Sequence, residues 1–200
     1  RIRRVAGDRA YIGNILRESI TGAFEANPVV LGSAPKRPKT RATKRLLTVL
    51  LSDIHFGIEV KREEVPGNAY NWEIAARRIA LLVDRAAGWG QDADRERTEL
   101  QVVINGDVIA GLIHTDDAGI KCLTEQVHGA VWILTHAIDH LRKHFGTIRV
   151  LCLPGNHDRV QRERQVAQRW DAYCSHIYIA MAAAFRRDNA VTFDVPLAGC

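Results

Sequence analysis

An α/β fold with a largely parallel sheet is predicted by two observations. Short apolar runs alternate with amphipathic stretches of helical period, in the order βαβαβαβ. Three of the runs end in polar and glycine clusters, Ser52-Asp53-Ile54-His55, Asn105-Gly106-Asp107 and Gly155-Asn156-His157-Asp158. In parallel sheets with right-handed crossovers, ligands sit beyond the carboxyl ends of the strands, so the three clusters are expected to converge on one site.

Each element follows from its own residues. Ile12, Ile15, Leu16, Ile20 and Phe24 fall at helical spacing with Asp8 upstream as a cap, which predicts a short amphipathic helix in residues 1–31, the tail of a preceding segment. A basic connector follows over 32–45. It opens with Gly32-Ser33-Ala34-Pro35 and gathers Lys36, Arg37, Lys39, Arg41, Lys44 and Arg45, with Pro38 among them. The continuous apolar run Leu46–Leu51 has the pattern of a strand buried on both faces. Residues from about Asn71 to Ala87 carry Trp72, Ile74, Ala75, Ile79, Leu82, Val83 and Ala86 and predict a helix closed by Gly88. Tyr70 and Trp72, near its start, read as anchors between helix and sheet, with stacking on a base as the alternative. Glu99–Val108 is the second strand.

Val127, Val131, Leu134, Ile138, Leu141 and Phe145 then form one stripe of a long helix from about Thr124 to Phe145, ended by Gly146. His136, His140 and His144 recur every four residues on the opposite, solvent side. Thr147–Leu153 is the third strand, Glu163 to Arg187 a third helix and Val191–Val195 the fourth strand.

With 200 residues, 46% hydrophobic, the chain is long enough for one domain and an appendage. It begins at Arg1 and its single Met is Met181, so it is expected to be a piece of a longer protein. The sequence has no run approaching eighteen apolar residues and no basic-then-apolar leader, which predicts a cytoplasmic protein that does not enter a membrane. Cys122, Cys152, Cys174 and Cys200 form neither a C-x-x-C pair nor a dense framework and are expected as reduced core or helix residues. Charge is uneven. Residues 1–45 carry eleven Lys or Arg against three acids, whereas residues 46–200 carry seventeen against twenty. The basic segment 36–45 is suited to neutralising nucleic-acid phosphates, with a solvated linker as the alternative.

The three clusters supply carboxylate, amide oxygen and imidazole but no thiolate, the donor set for Mn, Fe, Zn or Mg. Asp53 and His55, two apart at the end of an extended segment, are expected to point the same way and grip one ion. Asp107 has two oxygens with which to bridge two ions, and glycine at 106 and 155 permits sharp turns and close approach of phosphate. Each cluster alone is ordinary turn chemistry. Three of them, each directly after a strand and separated by helices, are not.

Asp53-Ile54-His55, Gly106-Asp107 and Gly155-Asn156-His157-Asp158, in that order, resemble the D-x-H, G-D and G-N-H-[DE] motifs of the calcineurin-like metallophosphoesterase superfamily, over roughly residues 46–200. The resemblance implies a layered β-sheet core flanked by helices, of which 46–200 is the N-terminal part. The family's later G-H-x-H motif does not occur here and is expected beyond Cys200; His176 matches no motif. A piece without those ligands is expected to bind metal poorly.

By the same resemblance Asp53 and His55 bind the first of two divalent cations, Mn2+ being the leading candidate with Fe, Zn and Mg as alternatives. Asp107 bridges both, and Asn156 binds the second. His157 is the general acid and Asp158 its orienting partner. The implied reaction is metal-assisted in-line displacement at phosphorus. Arg159 and His114 are candidates for substrate contact.

The form Gly155-Asn156-His157-Asp158-Arg159 looks like that of phage- and plasmid-type relatives of DNA repair exonucleases, which implies a phosphodiesterase or nuclease acting on DNA. Gly106-Asp107-Val108-Ile109-Ala110-Gly111 departs from the G-D-x-V-D-R-G of protein serine/threonine phosphatases. A phosphoesterase for nucleotides or other small molecules, and a non-catalytic scaffold on the same fold, are the alternatives.

Overall fold

A computed structural model describes residues 45–92, 98–113, 122–160 and 172–195. The expected helix in 1–31, the basic connector up to Lys44, His114, Cys200 and the first part of the third expected helix lie outside the described residues. Four strands, β1 (Arg45–Leu51), β2 (Thr98–Asn105), β3 (Thr147–Leu153) and β4 (Val191–Asp194), form one parallel sheet in the order β1-β2-β3-β4. They alternate with three helices, α1 (Trp72–Asp92), α2 (Leu123–Arg142) and α3 (Tyr173–Ala184). Sequential parallel strands joined by right-handed crossovers carry all their helices on one side.

Burial follows from that arrangement. Val49, Val102 and Val150 are in register across the sheet, as are Leu51, Ile104 and Cys152, and all six are buried in a core shared with the helices. The alternate residues point to the other face, where Leu46 is 63% and Leu50 60% exposed. This corrects the expectation that β1 is buried on both faces; the described helices all pack on the opposite face. An all-apolar run hides the period-two alternation that distinguishes a one-sided strand from a two-sided one. β2 also stops three residues short of its expected end, because Gly106 and Asp107 turn into positive φ, and Ile109 then forms an isolated bridge with Phe56.

Helix α1 begins as expected, with Asn71 Oδ1 accepting the N–H of Ile74 at 2.9 Å as an N-cap. It does not end at Gly88 but continues to Asp92. Gly90 allows that path, since a Cβ there would stand 2.5 Å from the buried Phe145 ring. Trp72 is an anchor: its ring lies 4.9 Å from that of Phe56 and covers Gly129 of α2, where a Cβ would meet the indole at 1.5 Å. At the other end of α2, the buried Arg142 pairs with Asp188 through Nε–Oδ2 at 2.5 Å and a second bond at 3.2 Å, tying the helix to the turn before β4. Cys152 and Cys174 are buried and free; Cys122 is exposed just ahead of α2, which corrects its expected place in the core or a helix. None of the described helices is long and apolar enough to cross a membrane.

Candidate metal centre

Parallel pairing aligns the carboxyl ends of β1, β2 and β3, so the turns that follow them lie side by side. The β1 turn laps onto the β2 turn through His55 N–H to Asp107 O, Phe56 N–H to Val108 O and Ala110 N–H to Phe56 O, each 2.9 Å. The β2 and β3 turns are in contact through glycine. A Cβ on Gly106 would stand 2.3 Å from Gly155 N, and one on Gly155 would stand 2.1 Å from both the Asp107 amide and its Oδ1. Gly155 thus makes room for Asp107 itself, in addition to any expected room for phosphate.

This packing brings one donor atom from each of Asp53, His55 and Asp107 within 4.8 Å of one another. Asp53 is exposed, and His55 and Asp107 are partly buried. All three have left-handed backbone, with φ of 53°, 48° and 47°. Asp53 and His55 converge not as alternate residues of an extended strand, as expected, but in a turn with Ile54 between two left-handed residues. Such conformations cost roughly 1–3 kcal/mol each and persist only where surrounding bonds enforce them, a pattern concentrated at ligand sites.

The donors fit a hard or borderline divalent cation. Two carboxylates and an imidazole are the right chemistry, and His55 Nδ1 is buried without a hydrogen-bond partner among the described residues. Burial lowers the His55 pKa, and the adjacent His157 lowers it further against the pull of Asp107 and Asp53, which favours the neutral, ligating ring. One oxygen of Asp107, Oδ1, accepts the His157 amide at 2.7 Å, which fixes the carboxylate and leaves Oδ2 for a cation. Asn156 lies on the exposed rim of the β3 turn, between Gly155 and His157.

The His157 ring stands edge-on to His55 at 4.4 Å. Its Nδ1 is 3.1 Å from the Ala110 carbonyl, which can only accept, so Nδ1 carries a proton. Asp158 was expected to orient this ring; its carboxylate instead braces backbone. Wholly buried, it accepts from the amides of Val108 at 3.1 Å, Ile109 at 3.4 Å and Gly155 at 2.9 Å, and it also bonds Cys174. It thereby fixes the turn that carries Ala110, and the orientation of His157 passes through that carbonyl. Burial pushes the Asp158 carboxyl above its ordinary value, opposed by the Gly155 and Ile109 amides.

Comparison of the chain with protein-family models, with curated proteins and with solved structures found no match. The residues themselves carry the reading. Arg159 donates from Nε to the Asn156 carbonyl at 2.9 Å, so its side chain is folded against the β3 turn. Gln126 was not marked by the sequence, and Tyr70 was marked only as an anchor between helix and sheet. Gln126 of α2 is wholly buried, accepts Gly111 N–H at 2.9 Å and packs where a Cβ on Gly57 would fall, joining the β1 and β2 turns. Tyr70 donates from its hydroxyl to the Ile54 carbonyl. A buried Gln on a helix and a Tyr before one are common, and only the turns they reach reveal their use.

Away from the centre, His136 is exposed and bonds the Trp132 carbonyl at 2.8 Å, and His140 pairs with Asp84 at 3.3 Å. These two of the three helical histidines lie on the partly exposed surface of α2, in keeping with the expected solvent side.

Proposed function

We propose that the protein is a dinuclear-metal-dependent phosphoester hydrolase of the calcineurin-like metallophosphoesterase type, acting as a phosphodiesterase or nuclease on DNA. The observation that carries this reading is the convergence of Asp53, His55 and Asp107 within 4.8 Å on two adjoining turns of a parallel sheet, each residue in a left-handed conformation.

In this reading Asp53 and His55 would hold one cation, Asn156 would hold the second, and Asp107 would be a ligand shared by both. When bound, the cations supply Lewis-acid charge against the phosphoryl oxygens and a water of lowered pKa as the nucleophile. The chain's own residues orient the ester and move the proton. With Nδ1–H of His157 committed to the Ala110 carbonyl, the proton given to the leaving oxygen is the one on Nε2. Arg159, restrained at the rim of the same turn, is available for a phosphate of the substrate. Asp158 acts through the backbone, keeping the β2 and β3 turns at the spacing that His157 requires. DNA as the substrate is supported by the basic segment 36–45.

The test is degradation of end-labelled single- and double-stranded DNA by the full-length protein in Mn2+, with Asp107→Ala and His157→Ala as controls. Degradation that both substitutions abolish supports the nuclease. Intact DNA beside metal-dependent hydrolysis of a generic phosphodiester moves the assignment to a small-molecule or nucleotide phosphoesterase. No hydrolysis of either would favour the scaffold.

A further inference from the structure

The Ile54–His55 peptide unit leads into the left-handed His55, and both of its polar groups are held from outside the turn. Its N–H donates to the Asp107 carbonyl at 2.9 Å, and its C=O accepts the Tyr70 hydroxyl. The φ of His55, 48°, is a rotation of this same peptide unit, so the two bonds together fix the torsion that aims the imidazole. We infer that Tyr70 is a positioning residue of the cation site: its hydroxyl holds the strained Asp53-Ile54-His55 turn in the conformation that brings both ligands to Asp107. This deepens the metal-site reading and rests on it.

Tyr70 is built to serve as the fixed end of that clamp. Its backbone pairs in both directions with Val60, N–H to O at 3.0 Å and O to N–H at 2.7 Å. Its ring carries the Arg78 guanidinium 5.4 Å from the centroid. Helix α1 starts two residues later, capped by Asn71 and pinned by Trp72 over Gly129. Burial raises the phenol pKa, only partly offset by Arg78, so the hydroxyl stays a donor. Without the hydroxyl, the peptide is held only at its N–H. Rotation of the unit then relieves the left-handed conformation of His55 and carries the imidazole away from Asp53 and Asp107. The cost falls on cation binding more than on the fold, because the unclamped turn relaxes to an ordinary conformation.

The test is Mn2+ titration by calorimetry of the full-length wild-type protein, Tyr70→Phe and Asp107→Ala, with the melting temperature of each metal-free protein measured in parallel. Tyr70→Phe keeps the ring, the Val60 pairing and the Arg78 contact and removes only the hydroxyl. The expected result is a dissociation constant weakened about tenfold or more, as for other groups that orient ligands, with the metal-free melting temperature nearly unchanged. An unchanged dissociation constant beside normal wild-type binding overturns the role of Tyr70 and leaves the metal site standing. A lowered melting temperature with unchanged affinity assigns the hydroxyl to the fold and equally overturns it. If the wild-type protein binds no Mn2+, or Asp107→Ala binds as well as wild type, the metal site itself fails and the role of Tyr70 with it.

Discussion

At the scale of the residue, the centre depends on atoms that are absent as much as on those that are present. Gly155→Ala puts a methyl 2.1 Å from the Asp107 backbone and carboxylate, neither of which can yield without moving the β2 turn. The expected loss is about 1–3 kcal/mol of stability, as for other overpacked sites, together with a weakening of Mn2+ affinity that exceeds tenfold. Chemical denaturation and calorimetric titration read the two effects separately. His157 makes a prediction of a different kind, because general acid catalysis matters most when the leaving oxygen is poor. His157→Ala should slow hydrolysis of an alkyl phosphodiester by about 10²–10⁴-fold, yet slow a p-nitrophenyl ester far less. Equal losses on both esters would assign the ring to binding rather than proton transfer.

Much of this residue-level detail was legible in the sequence, and the reason is chemical. Asp53, His55 and Asp107 stand where strands end, and their carboxylates and imidazole suit one class of cation. What could not be read was how they are held. Left-handed φ at three non-glycine residues is imposed by contacts from other parts of the chain, which no local propensity encodes. The same holds for Asp158, which the family resemblance pairs directly with His157. Its oxygens are instead bonded to the amides of Val108, Ile109 and Gly155.

At the scale of the element, the helices and strands were legible from period and apolar runs, and their ends were not. Helix α1 passes Gly88 because the tertiary contact of Gly90 with Phe145 outweighs the glycine's weak propensity. The pair between Arg142 of α2 and Asp188 is a long-range link of the same sort. Burial works against the Asp188 charge, but the Arg142 hydrogen bond, the Ala190 amide and the Arg142 charge together hold its carboxyl below the ordinary value of 3.8. A depressed folded-state pKa contributes stability above the unfolded value, and that stability is lost as pH falls through the folded value. The difference in unfolding free energy between wild type and Asp188→Asn should therefore be constant above about pH 5 and shrink as acid protonates Asp188. Denaturation across that range measures it. Arg142→Ala, which strands a carboxylate with little exposure, is expected to cost about 3–5 kcal/mol near neutral pH.

At the scale of the whole molecule, a four-stranded parallel sheet with its helices on one face delivers three turns to one edge. That arrangement, more than any single motif, converts separated sequence clusters into a site. The other face keeps Leu46 and Leu50 largely exposed among the described residues, a feature the unbroken apolar run of β1 concealed. Cation binding to such a site is linked to folding, so Mn2+ at a hundredfold excess over its dissociation constant should add about 2.7 kcal/mol of stability. In a thermal melt of the full-length protein, chelation or Asp107→Ala should remove the increment.

The three turns are proposed to form a metal-dependent phosphoesterase centre. The most direct measurement is the rate at which the full-length protein hydrolyses bis-p-nitrophenyl phosphate in Mn2+, with and without chelator, for wild type and Asp107→Ala. Chelation should abolish turnover and Mn2+ restore it, and Asp107→Ala should lack it at every Mn2+ concentration. Turnover that survives chelation, or an Asp107→Ala variant as active as wild type, would contradict the proposal.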